Sequence, residues 1–105
     1  MRTSQETIDR LLAILSPVLD VRARKMFGEY ALYCDEKVAG LVCRDELVVK
    51  ETPAGASFAG NLERRAAYPG SKPGLHVPHA LWSDSAWLAE LIQKTADALP
   101  KKQSK

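Results

Sequence analysis

Between Val21 and Lys50 the chain alternates short runs rich in Val, Leu, Tyr and Cys with brief breaks at Gly28, Asp35-Glu36-Lys37 and Arg44-Asp45-Glu46. Runs of this kind read as strands, and breaks this short permit only hairpins, because a parallel crossover needs a dozen or more residues. The segment predicts an antiparallel meander of four strands over residues 21–27, 29–34, 38–43 and 47–50. With Glu36 and Lys37 at the tip of the central hairpin, Tyr30 faces Cys43, Leu32 faces Leu41 and Cys34 faces Ala39, and this side forms the core. The opposite side then carries Ala31, Tyr33, Gly40 and Val42, which is more apolar than a solvated sheet face should be. A helix or loop would cover it, or a second copy of the chain associating through those residues.

Helical signals flank the meander. Thr3 and Glu6 form a capping-box pair, and Ile8, Leu11, Leu12, Leu15 and Leu19 recur on one helical face, so a first helix spans about 4–16 and ends at Pro17. Thr52-Pro53 starts a short helix over 53–58, which the stretch 61–67 can continue. Tyr68-Pro69-Gly70-Ser71-Lys72-Pro73-Gly74 is a loop by its Pro and Gly content, followed by a brief strand over 75–77. Ser83 caps a final helix over 84–99, ended by Pro100. The predicted fold is α+β: an antiparallel meander of about four to five strands packed with an N-terminal and a C-terminal helix in two layers.

At 105 residues, 46% hydrophobic and 27% charged, the composition is that of one packed domain, assigned to residues 1–100, with 101–105 as a flexible Lys-rich tail. The formal net charge of +2 is too small to draw the molecule onto nucleic acid by its overall field, so such binding needs a local patch. No apolar stretch approaches the roughly 20 residues of a membrane span, and the first residues lack an apolar signal core, which predicts a cytoplasmic protein with no membrane partner. Cys34 and Cys43 fit that compartment as buried thiols, and their spacing matches no metal or redox motif.

Chemistry-bearing motifs are sparse. His76 falls in a strand and His79 beyond Pro78, so the pair does not share a helical face, and no metal site or cofactor is expected. A nucleophile elbow and a phosphate-cradling loop are both missing, so no catalytic residue is assigned. Cys34 or Cys43 beside His76 is the remaining nucleophilic pairing to examine in the fold. Arg22, Arg24 and Lys25 on the first strand are the candidate contacts for a nucleic acid or protein partner.

The segment Arg24-Lys25-Met26-Phe27-Gly28-Glu29-Tyr30-Ala31-Leu32-Tyr33 resembles the opening signature of the N-terminal domain of the TfoX/Sxy competence regulators. Lys37-Val38-Ala39-Gly40-Leu41-Val42-Cys43 and Asp45-Glu46-Leu47-Val48-Val49-Lys50 resemble that family's second hairpin, and Tyr68-Pro69-Gly70-Ser71-Lys72-Pro73 with Val77-Pro78 resembles its loop and following strand. The signature positions are Met26, Phe27, Gly28, Lys50, Tyr68, Pro69, Gly70, Lys72 and Pro73, read from the residues as structural. Where the family commonly has Asp-Gly at the hairpin tip, this chain has Asp35-Glu36. The resemblance implies an α+β domain without catalytic residues, standing here without the C-terminal domain of the full-length regulators. It also implies a role in competence-gene regulation alongside the cyclic-AMP receptor protein. The resulting reading is a non-enzymatic regulatory or protein-interaction module, with a protein partner or a homodimer. The second reading is a small-ligand-binding protein or enzyme that uses the Tyr68 to His76 loop region.

Overall fold

The computed structural model describes residues 3–26 and 29–99; Phe27, Gly28 and the 101–105 tail lie outside the described residues. Six strands form one antiparallel sheet: β1 (Val21–Met26), β2 (Glu29–Cys34), β3 (Lys37–Cys43), β4 (Glu46–Val49), β5 (Arg64–Ala66) and β6 (Pro73–Val77). Their order in space is β1-β2-β3-β4-β6-β5, so the meander is followed by a strand that inserts between β4 and the short edge strand β5. Four helices accompany them: α1 (Gln5–Leu15), α2 (Pro53–Ala59), α3 (His79–Trp82) and α4 (Ser85–Ala98).

Local chemistry sets the helix ends. Ser4, not Thr3, caps α1, its hydroxyl accepting from the Thr7 N–H at 3.2 Å. Thr3 is instead buried, with its hydroxyl close to Glu29 and the Val42 carbonyl and accepting from the Asp45 N–H at 3.2 Å. Thr52 caps α2 as its sequence predicts. Gly60, at φ +76°, ends that helix, and the chain beyond it forms β5 where the sequence allowed a continuing helix. Asp84 rather than Ser83 caps α4. The short α3, with no sequence signal of its own, inserts Trp82 fully into the core, where its indole N–H donates to the Val77 carbonyl at 3.2 Å.

All four helices lie on one side of the sheet. Ile8, Leu11 and Leu15 of α1, Trp82 of α3 and Leu88, Leu91, Ile92 and Ala96 of α4 join Tyr30, Leu32, Cys34, Val42, Leu47, Val49, Leu75 and Val77 in one cluster. Phe58 and Ala59 of α2 pack against it. Burying each such aliphatic side chain contributes roughly 1.5–3 kcal/mol, which makes this cluster the main source of stability.

The register of the central hairpin differs from the sequence expectation. The tip is Asp35-Glu36, with Cys34 opposite Lys37, and a bulge lies between Leu32 and Tyr33 on the β2 side. Beyond it, Tyr30 pairs with Val42, Ala31 with Leu41 and Leu32 with Gly40, leaving Ala39 as the extra residue. Moving the tip shifts the pairing by an even number, which preserves faces, whereas the bulge shifts it by one, which exchanges them. Gly40 and Val42 therefore sit on the helix side, and Leu41 and Cys43 on the other. The grouping of Ala31, Tyr33, Gly40 and Val42 on one face away from the core is corrected accordingly: only Ala31 and Tyr33 lie on the helix-free side.

Candidate functional site

The side of the sheet without helices carries one continuous cross-strand row: Arg24, Ala31, Leu41, Val48 and His76, each opposite the next. A second row runs Arg22, Tyr33 and Val38. Ala31 and Val48 are buried, and Tyr33, Val38 and Leu41 are half-buried. The face is thus apolar in its middle and charged at its margins. Of the three basic candidates on β1, Arg22 pairs with Glu36 and lies over the Tyr33 ring at 5.4 Å, Arg24 heads the first row, and Lys25, opposite Tyr30, belongs to the helix side.

At one end of this face the structure gathers both histidines around Glu46, a residue the sequence did not single out. His76 Nε2 is hydrogen-bonded to Glu46 Oε1, and His79 Nε2 lies 3.9 Å from Oε2. Arg65 NH1 approaches His76 Nε2 to 3.4 Å while its NH2 bonds Glu63 at 3.1 Å. His79 Nε2 donates to the Asp45 carbonyl, leaving Nδ1 to accept from Arg10 at 3.4 Å, and the ring stacks on Trp82 at 4.2 Å. The only hint of this convergence in the sequence is register: Val48 opposite His76 brings Glu46 diagonally across from the histidine on the same face. Among the described residues no group of three His, Cys, Asp or Glu side chains is arranged to hold a metal ion.

Neither cysteine has the surroundings of a nucleophile. Cys34 lies on the helix side, away from His76, and burial, reinforced by Asp35, Asp20 and Asp97 and tempered by Lys37, pushes its thiol up to about 11. Cys43 shares the face of Glu46, and burial together with the Glu29 carboxylate pushes its thiol up as well. Both thiols are thereby kept protonated and poorly nucleophilic.

At the opposite end, the open face holds a groove of about 520 Å³. Leu41 and Val48 form its floor, Lys50 and Glu51 one flank, and Tyr68, Gly70, Ser71, Lys72, Pro73 and Gly74 the other, with Leu99 at its edge. Lys50, Tyr68, Gly70, Lys72 and Pro73, five of the signature positions, thus converge on one concavity although the chain separates Lys50 from Tyr68 by a helix and a strand. Pro69 sits in the turn behind them, and of Met26 only the backbone, at the end of β1, is described.

The groove wall is a hydrogen-bonded turn. Tyr68-Pro69-Gly70-Ser71 is closed by the Ser71 N–H donating to the Tyr68 carbonyl at 3.0 Å, with Pro69 second and Gly70 third at φ +92°, the type II pattern. The Ser71 hydroxyl also accepts from the Tyr68 N–H at 3.2 Å. Gly74 lets β6 run close beside β4, because a methyl group there would stand 2.8 Å from Val48 Cγ1 and 2.6 Å from the Val49 carbonyl oxygen.

Among the described residues no helix is long and apolar enough to cross a membrane. A protein of Spirochaeta aurantia, described as an uncharacterized 12.7 kDa protein in the trpE 5′ region, is 43% identical over 84 residues, covering 80% of this chain and 72% of that protein. The family model of the TfoX N-terminal domain matches residues 13–99, spanning the sheet, the groove and α4. With most of the chain inside that match, and with Lys50 and the Tyr68 to Pro73 turn brought together by the fold, the protein belongs to the TfoX N-terminal domain family.

Proposed function

We propose that this chain is a non-enzymatic regulatory module that acts by binding a protein partner, or a second copy of itself, through the helix-free face of the sheet. The observation that carries this reading is the apolar centre of that face, where the half-buried Tyr33, Val38 and Leu41 surround the buried Ala31 and Val48 with no helix over them, while the other side holds all four. Contiguous apolar surface of this kind on a sheet marks an interaction site. One feature of the chemistry supports a non-catalytic role: burial holds both thiols protonated. Family membership supports regulation of competence or transcription as the setting. Direct contact with nucleic acid is the weaker form of the reading, since Arg22 is already engaged by Glu36 and Tyr33.

Tyr33→Lys and Val38→Lys place charge on this face away from the core. Light scattering and affinity capture, run on the wild type and both variants, test the reading. A self-associated or partner-bound wild type whose complex is lost in both variants supports it. A monomer that retains no partner, or complexes unchanged by both substitutions, overturns it.

A further inference from the structure

The groove at the Lys50 end has features that an interaction surface for a folded protein does not need. Its volume of about 520 Å³ falls in the range of small-molecule sites, roughly 300–1,000 Å³. Its floor is aliphatic, and its wall presents Tyr68, one of two large hydrophobic side chains left exposed among the described residues, at 50% exposure. Two cations line it, Lys50 and Lys72, and among the described residues neither lies within ion-pair distance of a carboxylate. The one acid in the lining, Glu51, is already paired with Arg64 at 3.0 Å. The concavity therefore carries two uncompensated positive charges beside an aromatic ring and an apolar floor, on a turn held by three hydrogen bonds between Tyr68 and Ser71.

We propose that this groove binds a small phosphate monoester with an aromatic or branched apolar body. The phosphate lies between the ammonium groups of Lys50 and Lys72, and the body rests on Leu41 and Val48 against the Tyr68 ring. A monoester carries close to two negative charges at neutral pH, which matches the two lysines better than the single charge of a carboxylate. Ammonium-to-phosphate contacts are charge-assisted hydrogen bonds, roughly twice as strong as neutral ones. The proposal goes beyond partner binding by the sheet face but shares Leu41 and Val48 with it, so the titration is run on the wild type and on Tyr33→Lys, which removes that association and leaves the groove lining unchanged; ligand binding by the variant then stands or falls independently of partner binding.

Phenyl phosphate is the probe, followed through the backbone amide resonances of the whole chain. Saturable shifts at Leu41, Val48, Lys50, Ser71 and Gly74, with tighter binding than inorganic phosphate, phenol or phenylacetate, are the expected result. Lys50→Gln and Lys72→Gln are exposed substitutions that leave the remaining spectrum in place, and each weakens binding about tenfold. No saturable shift up to about 10 mM, well above the millimolar limit of weak specific sites, overturns the proposal. So do equal affinity in the double Gln variant and tighter binding of phenylacetate, the latter replacing the phosphate by a carboxylate head group.

Discussion

A methyl group on residue 40 would stand 2.8 Å from the Val48 carbonyl oxygen and 3.2 Å from Val49 Cα. Both are backbone atoms of the neighbouring strand and cannot rotate away, so Gly40→Ala is expected to lower unfolding free energy by about 1–3 kcal/mol, read from urea midpoints. A change within about 0.3 kcal/mol would show that β3 and β4 part more easily than this contact implies. Cys34 gives a second test. Its thiol is raised in the folded state to about 11, so the stability it contributes is complete below the unfolded thiol's ordinary value, about 8.5, and is lost as pH rises toward 11. Denaturation curves between pH 8 and pH 10.5 should therefore show a decline that becomes shallower in Cys34→Ala, and an unchanged slope would refute this assignment. At this scale the sequence was informative about residue type and wrong about face: it placed both thiols in strands, favoured burial for both and set both on the core side, whereas the bulge puts Cys43 on the helix-free side opposite Cys34.

At the scale of elements, the hairpins carry most of the specification. The β2–β3 and β3–β4 turns each have two residues in the left-handed region, Asp35 and Glu36 at φ 53° and 68°, Arg44 and Asp45 at φ 54° and 62°. This is the type I′ geometry whose twist suits a hairpin, made here without the glycine that usually supplies it. Arg44 has no ion pair among the described residues, and Asn tolerates the left-handed region better. Arg44→Asn is therefore expected to stabilise the fold by about 0.5–1 kcal/mol, and an unchanged or lower urea midpoint would count against it. The meander, α1 and α4 were readable because each has a periodic apolar pattern bounded by caps or short polar breaks, and α2 because Thr52-Pro53 marks its start. Two elements were not. β5 consists of Arg64, Arg65 and Ala66, all exposed, so it has no alternating pattern to read and exists by pairing with β6. α3 is four residues long and is held by one buried indole.

In the molecule as a whole, the N-terminal segment is fastened to the sheet by two carboxylates. The Asp45 side chain accepts from the Ser4 N–H at 2.9 Å and the Thr7 hydroxyl at 2.8 Å, and these bonds lower its pKa. Burial alone would raise that of Glu29, but the Thr3 hydroxyl and the N–H groups of Arg44 and Thr3 outweigh it, and the net direction is down. Both groups titrate lower folded than unfolded, so their contribution is present above the ordinary carboxylate range and disappears as pH falls through the folded values. Acid unfolding should begin with separation of α1 from the β3–β4 turn, and Asp45→Asn, which the left-handed turn accepts, should flatten the acid limb of stability against pH. An acid limb identical to the wild type would exclude this clasp. The groove was legible only as scattered parts, Lys50 in one motif and Tyr68 to Pro73 in another, because the β4–β6 pairing that unites them is a contact across more than twenty residues. The bulge at Ala39 has a consequence for descent as well as for packing. It has the form of a single inserted codon absorbed without turning the rest of β3 over: removing that residue leaves Leu41 outside and Val42 inside. An odd insertion or deletion elsewhere between Tyr30 and Val42 exchanges lining with core. Among relatives, the length of this hairpin should therefore vary by one at residue 39 and otherwise only by two.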